Sequence, residues 1–206
     1  MIPTTIYLVR HAESEANAAG TFSGHSDPLL TERGRLQALA LARRFQDEAI
    51  DQVVSSDLQR ALETAKLLAS GLDLEVMADA RLREMDFGDW EGLTQEKIAE
   101  KDADAWESIL KPTPDFRAPG GESLRELRER MHAAYRDVVD AQPEGSAVVV
   151  AHGNAIGMLL GALLDMPYAA AWRFRLENTG VTTVQDFDGS PVLMSLNDTA
   201  HLSGLE

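Results

Sequence analysis

The chain has 206 residues, of which 44% are hydrophobic and 26% charged, and these values are typical of one soluble globular domain. It contains no cysteine, which excludes disulfides, thiolate metal sites and cysteine nucleophiles. The formal net charge of −15 argues against nucleic acid and anionic membranes as partners, because both require a basic surface.

The start of the chain and its most apolar stretch bear on localisation. Residues 1–9 carry no basic residue and are too short for a signal peptide. Residues 148–164 form the most apolar stretch, but His152, Gly153 and Asn154 interrupt it, so a membrane span is not predicted. We therefore expect a cytoplasmic protein that does not enter a membrane.

Hydrophobic patterns in the first half of the chain predict strands that alternate with helices. Short apolar runs predict the strands, at 4–9, 52–55 and 75–78. One helix is predicted over 31–49, and a second follows residue 55. The second helix should begin with a capping box, because Ser56 and Gln59 have the required spacing.

The second half begins with two short helices, predicted over 94–110, and a loop over 111–121 that is rich in proline and glycine. A longer helix follows and runs to about residue 141, and Ser123 and Glu126 mark its start as a second capping box. The remaining elements, in chain order, are a strand over 147–151, a helix over 154–164 and strands over 181–186 and 192–196.

This alternation predicts an α/β fold, a three-layer sandwich in which helices flank a mostly parallel central sheet. We expect residues 1–206 to form one domain. Residues 85–119 break the alternation, and we interpret them as a short cap insertion that covers one edge of the sheet. Trp90 and Trp106 should pack this insertion onto the sheet rather than bind a ligand.

Three polar groups follow predicted strands, at the edge where ligands of such sheets bind. Arg10 and His11 end the first strand, Arg60 begins the helix after the second, and residues 152–154 follow the long apolar strand. Helix amino termini attract anions, and arginine binds phosphate through two parallel hydrogen bonds. The sequence therefore predicts a phosphate site that contains a candidate nucleophile.

These residues belong to sequence blocks that occur in family order over nearly the whole chain. The blocks are Leu8-Val9-Arg10-His11-Ala12-Glu13-Ser14-Glu15, Ser23-Gly24, Asp27-Pro28-Leu29-Leu30-Thr31, Ser55-Ser56-Asp57-Leu58-Gln59-Arg60-Ala61, Leu82-Arg83-Glu84, Gly88-Asp89-Trp90-Glu91-Gly92, Gly120-Gly121-Glu122-Ser123 and Ala151-His152-Gly153-Asn154. Together they resemble the histidine phosphatase superfamily, which includes cofactor-dependent phosphoglycerate mutase. The resemblance implies a phosphoglycerate mutase-like fold. Ala12 stands where the family usually has glycine.

The resemblance also implies a catalytic set, which consists of Arg10, His11, Arg60, Glu84 and His152. His11 would be the nucleophile that becomes phosphorylated, and His152 would hydrogen-bond the transferred group. Glu84 would protonate the leaving oxygen and then activate water. The implied substrate-binding residues are Arg10, Asn17, Ser23, Gly24, Arg60, Glu84, Gly153 and Asn154.

Elementary electrostatics agrees with these roles. His11 must be neutral to attack, and the nearby Arg10 and Arg60 should lower the pKa of its imidazole. The same guanidinium groups would stabilise charge on the transferring phosphoryl group. A bound phosphate dianion would favour the protonated form of Glu84.

No metal or other cofactor is called for by this chemistry. A metal site built from His11, His25 and His152 is disfavoured, because the chain has no His-x-x-x-His or clustered carboxylate pattern. We interpret His25, His132 and His201 as non-catalytic, with a place in the wall of the site as the alternative for His25.

Three functions remain open, and we favour the first. A phosphatase would hydrolyse phosphomonoesters of small metabolites through a phosphohistidine on His11. A phosphoglycerate mutase-type isomerase is less favoured, because the resemblance associates it with a longer insertion and paired arginines, and residues 85–119 have no Arg-Arg pair. An inactive phospho-ligand-binding module is disfavoured, because every reactive residue is present. The individual substrate is unassigned, and a homodimer is compatible with the sequence.

Overall fold

A six-stranded sheet forms the centre of the computed structural model, which describes residues 2–110 and 112–205. The strands are β1 Thr4–Arg10, β2 Gln52–Ser55, β3 Val76–Ala78, β4 Ser146–Ala151, β5 Val181–Asp186 and β6 Pro191–Asp198. Their order across the sheet is β3-β2-β4-β1-β5-β6. Strands β1 to β4 are parallel, whereas β5 runs antiparallel to β1, and β6 runs antiparallel to β5. The predicted α/β class with a mostly parallel sheet is confirmed.

Helices flank this sheet. The α-helices are α1 Glu15–Ala19, α2 Glu32–Phe45, α3 Gln59–Ala69, α4 Gln95–Lys101, α5 Ala103–Leu110, α6 Leu124–Ala141 and α7 Gly153–Leu163. Short 3₁₀ helices lie at Ala80–Leu82, Gly88–Trp90, Tyr168–Arg173 and Ala200–Leu202. None of the helices in the described residues combines the length and the apolar character needed to cross a bilayer.

The sheet separates two apolar layers, because alternate side chains of a strand point to opposite faces. Val9 and Val148 belong to the cluster that contains the buried side chains of α2 and α3. Leu8 and Val149 belong to the cluster that contains those of α6 and α7. Every residue of β4 is buried, which explains why this strand is a continuous apolar run in the sequence.

The two predicted capping boxes have different outcomes. The box of Ser123 and Glu126 is confirmed, since each residue's side chain bonds the other's backbone N–H at the start of α6. The box of Ser56 and Gln59 is wrong, because α3 begins at Gln59 itself, and Leu58 at its cap has no capping side chain. The Ser56 hydroxyl instead accepts the N–H of Leu58.

The described residues of segment 85–119 contact the loop after α1 and the residues just before α6. Phe22 exchanges backbone hydrogen bonds with Gly92 and Leu93, and its ring contacts the ring of Trp90. At the other end, the backbone of Asp86 accepts the N–H of Glu122, just before α6. These contacts join the segment to the loop after α1 and to the start of α6. The predicted loop over 111–121 begins at Lys111, which is outside the described residues.

Candidate active site

His11 is the first residue after β1, and its position continues the strand pairing. Its backbone N–H donates to the carbonyl of Ala151 at the end of β4. Its side chain is only 3% exposed, and Nδ1 lies 2.7 Å from the carbonyl oxygen of Ala12. A carbonyl only accepts hydrogen bonds, so we assign the proton to Nδ1 and a free lone pair to Nε2.

The surroundings of His11 favour its neutral form. Burial is the main cause that holds the pKa of its imidazole well below the usual value, and the positive charges of Arg60 and Arg10 add to it. A neutral ring with an available Nε2 is the form of histidine that can act as a nucleophile.

His152 lies next to His11 in the same site. It follows β4, is fully buried, and its ring centroid lies 4.9 Å from that of His11. Burial is the main cause that holds the pKa of His152 well below the usual value, and electrostatic interactions with His11 and nearby arginines add to it. Its Nε2 is 2.9 Å from the hydroxyl of Ser56, whereas its buried Nδ1 has no partner among the described residues.

Two arginines lie near His11, and they differ in their hydrogen-bond partners. Arg10 donates one hydrogen bond to the carbonyl of Leu176, but its buried Nε has no partner among residues 2–110 and 112–205. Arg60 is 1% exposed and donates to the carbonyls of the loop after α1, which are those of Ser23, Gly24 and Ser26. Arg60 therefore also holds the loop that closes one side of the site.

Gly24 is needed in that loop because another backbone approaches it closely. A Cβ atom at this position would collide with the carbonyl oxygen of Met85 and with the Glu91 carboxylate. Glu91 in turn accepts the backbone N–H groups of His25 and Ser26, at 2.7 and 2.6 Å. The loop is thus fixed from both sides.

Glu84 meets the amino terminus of α7. Its carboxylate accepts the backbone N–H groups of Met85, Asn154 and Ala155 at 2.8 to 3.1 Å. The last two donors belong to the first turn of α7, so Glu84 satisfies N–H groups that the helix itself leaves unpaired. Asn154 was predicted to bind the substrate, and in the structure its backbone N–H is bonded to Glu84.

Arg130 of α6 orients the backbone that carries Glu84. Its guanidinium donates to the carbonyls of Arg81, Arg83 and Glu84 and to the carboxylate of Glu122. These partly buried contacts tie the connection between β3 and segment 85–119 to α6.

Asn178 is a residue of the site that sequence reasoning missed. Its amide nitrogen donates both to the carbonyl of His11 and to Oδ1 of Asn17. Oδ1 of Asn17 also accepts the N–H and the hydroxyl of Ser14, which leaves the NH₂ group of Asn17 available to a ligand. Antiparallel pairing of β5 with β1 brings Asn178 here, because β5 begins where β1 ends.

A cavity of about 190 Å³ opens between these groups. It is lined by Arg10, His11, Asn17, Gly20, Thr21, Phe22, Ser23, Arg60, Glu84, Phe87 and Asn154. Most of the predicted site residues are in this wall. Gly24, His152 and Gly153 are not, although each contacts or adjoins a residue that is. The structure adds Gly20, Thr21, Phe22 and Phe87 to the predicted set.

The remaining histidines and the unusual alanine are also placed by the structure. His25 is not part of the cavity wall, and its Nδ1 lies 3.9 Å from a carboxylate oxygen of Asp86. In the part of the chain that the structure describes, no group of three His, Asp or Glu side chains is arranged to hold a metal ion. Ala12 is fully buried, its N–H donates to Thr64, and its φ is not positive, so a Cβ is accommodated there.

Comparison with known proteins identifies the family. The model of the histidine phosphatase superfamily, branch 1, matches residues 6–199. The chain belongs to this superfamily. A relative from Cronobacter sakazakii, named "Probable phosphoglycerate mutase GpmB", is 37% identical over 203 residues, which are 96% of this chain and 94% of the relative.

Solved structures of the superfamily are similar over almost the whole chain. YhfR of Bacillus stearothermophilus matches with a TM-score of 0.90 and 31% identity, over 98% of this chain and 100% of that one. A phosphoserine phosphatase mutant from Entamoeba histolytica matches with a TM-score of 0.88 and 32% identity, over 97% of this chain and 99% of that one. The α-ribazole phosphatase from Shigella flexneri matches with a TM-score of 0.85 and 29% identity, over 95% of this chain and 96% of that one. The names of these relatives include both mutase and phosphatase activities.

Proposed function

We propose that this protein is a phosphatase that hydrolyses phosphomonoesters of small metabolites through a phosphohistidine on His11. One observation carries the proposal: Nε2 of a buried, neutral His11 is available in a cavity that also contains Arg10, Arg60 and Glu84. A neutral nucleophile, two cations and a carboxyl group are what phosphoryl transfer to histidine requires.

In the first step, Nε2 of His11 attacks phosphorus, and the bond from phosphorus to the ester oxygen breaks. The carboxyl group of Glu84 gives a proton to that oxygen, and the alcohol leaves. In the second step, water attacks the phosphohistidine and gives a proton back to Glu84. The P–N bond breaks, phosphate leaves, and both side chains return to their starting forms.

Two buried donors would stabilise the transferring group. Nε of Arg10 and Nδ1 of His152 have no partner among the described residues, and buried polar atoms in that state usually bind a ligand or water. The Ser56 hydroxyl next to Nε2 of His152 can donate to it, which would place the remaining proton of the neutral ring on Nδ1. That proton would then be available to a phosphoryl oxygen.

A mutase of phosphoglycerates is the second candidate, because the relative from Cronobacter sakazakii carries that name. Such a substrate needs cations for its carboxylate as well as for its phosphate. Arg83 is held by both oxygens of Asp57 at 2.7 and 2.6 Å, and Arg81 is paired with Asp79 and Asp137. These two arginines of the segment that carries Glu84 are thus already paired with carboxylates, which favours the phosphatase.

The deciding experiment follows both products in one reaction. The protein is incubated with 3-phosphoglycerate and a bisphosphorylated primer, and separately with a panel of phosphomonoesters, and free phosphate and 2-phosphoglycerate are measured. We expect phosphate release from several esters. Formation of 2-phosphoglycerate without phosphate would establish the mutase, and no turnover of any ester would leave only the binding module.

A further inference from the structure

A second cavity, of about 440 Å³, continues from the phosphate cavity. The two share Phe22, Phe87 and Asn154 as a common wall. We call the second cavity the aromatic groove; its lining consists of Phe22, Phe87, Trp106, Ile109, Leu110, Asn154, Ala169, Trp172 and Arg173. A group attached to phosphorus in the first cavity could therefore extend directly into this groove.

The walls of the aromatic groove are held together by specific contacts. The indole N–H of Trp172 donates to the carbonyl of Ile109 at 3.0 Å, which joins the end of α5 to the 3₁₀ helix after α7. The rings of Phe22 and Phe87 meet edge to face with centroids 4.9 Å apart, and Trp106 contacts Phe22 in the same manner. The prediction that Trp106 only packs the insertion is therefore incomplete, since its ring also lines a groove.

The chemistry of this lining selects one kind of occupant. Six of the nine lining residues are aromatic or large aliphatic side chains, and Arg173 is the one charged residue of the lining. No carboxylate is present in it. Apolar walls stabilise apolar groups by removing their surface from water, whereas a polar group would find only Asn154 and Arg173 as polar side-chain partners in this lining.

We propose that the aromatic groove binds the alcohol portion of the substrate, and that the preferred substrates are phosphomonoesters of apolar, ring-containing alcohols. The proposal rests on the phosphatase function, because it needs the phosphoryl group to occupy the neighbouring cavity. A flat ring fits this lining, because edge-to-face and offset contacts with Phe22, Trp106 and Trp172 have the geometry that aromatic pairs prefer. Arg173 at the rim would stack on the outer face of such a ring.

The test compares the binding of phosphonates, which resemble the phosphate ester but are not hydrolysed. Dissociation constants of propylphosphonate, 3-phenylpropylphosphonate and 2-carboxyethylphosphonate are measured by calorimetry on the whole chain. We expect 3-phenylpropylphosphonate to bind about 10- to 100-fold more tightly than propylphosphonate, since a buried ring contributes on this scale. Equal affinities, or tightest binding of the carboxylated compound, would overturn the proposal.

Two variants place this preference in the groove. Ala169→Glu adds a carboxylate to an exposed position of the lining, so the variant should fold. It should reduce the ratio by which 3-phenylpropylphosphonate binds more tightly than propylphosphonate. Ala200→Glu is the matched control, because Ala200 is also an exposed alanine in a 3₁₀ helix but is not in the lining. A ratio that Ala169→Glu leaves unchanged, or that both variants reduce equally, would remove the groove as the binding site.

Turnover separates this inference from the function on which it rests. Phosphate release from propyl phosphate tests the phosphatase, and the phosphonate ratio tests the groove. Release of phosphate with equal phosphonate affinities would retain the phosphatase and overturn the groove. A large ratio without release of phosphate from any ester would retain the groove and overturn the phosphatase.

Discussion

The phosphate cavity and the aromatic groove share a wall, but different forces hold them together. Backbone hydrogen bonds fix reactive groups of the cavity, as for His11 on Ala151 and Glu84 on the first turn of α7. The groove is formed mainly by packed side chains from α5 and from residues 169–173, and Leu110 at its edge is 63% exposed. The cavity therefore depends more on backbone hydrogen bonds, and the groove more on side-chain packing.

This difference predicts that the cavity determines the rate of phosphoryl transfer and that the groove determines which substrates are preferred. Substitutions in the cavity remove groups that act on phosphorus, so they should slow substrates whatever the shape of the alcohol portion. Substitutions in the groove change only the contacts of the alcohol portion, so they should change the order of substrates.

The largest effect is expected for His11→Ala. Removal of the nucleophile should lower kcat by about 10³-fold or more, equally for small and ring-containing phosphomonoesters. Steady-state phosphate release measures this, and circular dichroism verifies the fold. His132→Ala is the control, because His132 is exposed on α6. Substantial turnover in His11→Ala would remove the phosphohistidine from the mechanism.

Glu84→Gln should distinguish substrates by their leaving groups rather than by their shape. An alkyl phosphate needs a proton on its leaving oxygen, and we expect kcat to fall about 10²- to 10³-fold for it. p-Nitrophenolate leaves without a proton, so p-nitrophenyl phosphate should lose less. The exposed Asp89→Asn serves as the control on a neighbouring carboxylate. An equal loss for both substrates would contradict the role of Glu84 as the acid.

Asn178→Ala tests whether the backbone support of the cavity affects the rate. The variant loses two hydrogen bonds, to the carbonyl of His11 and to Asn17, but no group that would touch phosphorus. We expect about a 10-fold decrease in kcat, because small displacements of reacting groups are costly, with little change in the order of substrates. Gln185→Ala on β5 is the control. A change in KM alone would show that Asn178 does not position His11.

The parts of this design that the sequence predicts are those that depend on local pattern. Arg10, His11 and His152 could be placed together because each follows an apolar strand, and parallel strands bring their carboxyl ends to one edge. Helix α1 was missed because five residues are too few for a periodic pattern. Asn178 depends on which strand pairs antiparallel to β1, and the groove depends on contact between Ile109 and Trp172. Neither long-range contact leaves a local signal.

The smallest effect is expected on the free energy of unfolding. It concerns Thr179, which contacts both Arg10 of the cavity and His201 near the end of the described residues. Its N–H donates to the carbonyl of Arg10, and its hydroxyl lies 3.1 Å from Nε2 of His201. Thr179 is buried and has a φ of 57°, a left-handed conformation that is uncommon for a residue with a branched side chain. Its conformation must therefore be imposed by these neighbours.

Burial is the main cause that lowers the pKa of His201 to about 4, with the charge of Arg44 adding to it. Above pH 6.5, His201 is neutral in both the folded and the unfolded chain and adds no pH dependence. As the pH falls from 6.5 towards 4, the unfolded chain takes up a proton and the folded chain does not, so the free energy of unfolding falls. His201→Gln cannot take up this proton and should lose less stability between pH 7 and pH 5 in urea titrations. The exposed His132→Gln should keep the wild-type slope. An equal loss of stability in His201→Gln and wild type would show that His201 is already protonated in the folded chain at pH 5. The contact between Thr179 and His201 would then not depend on a neutral ring.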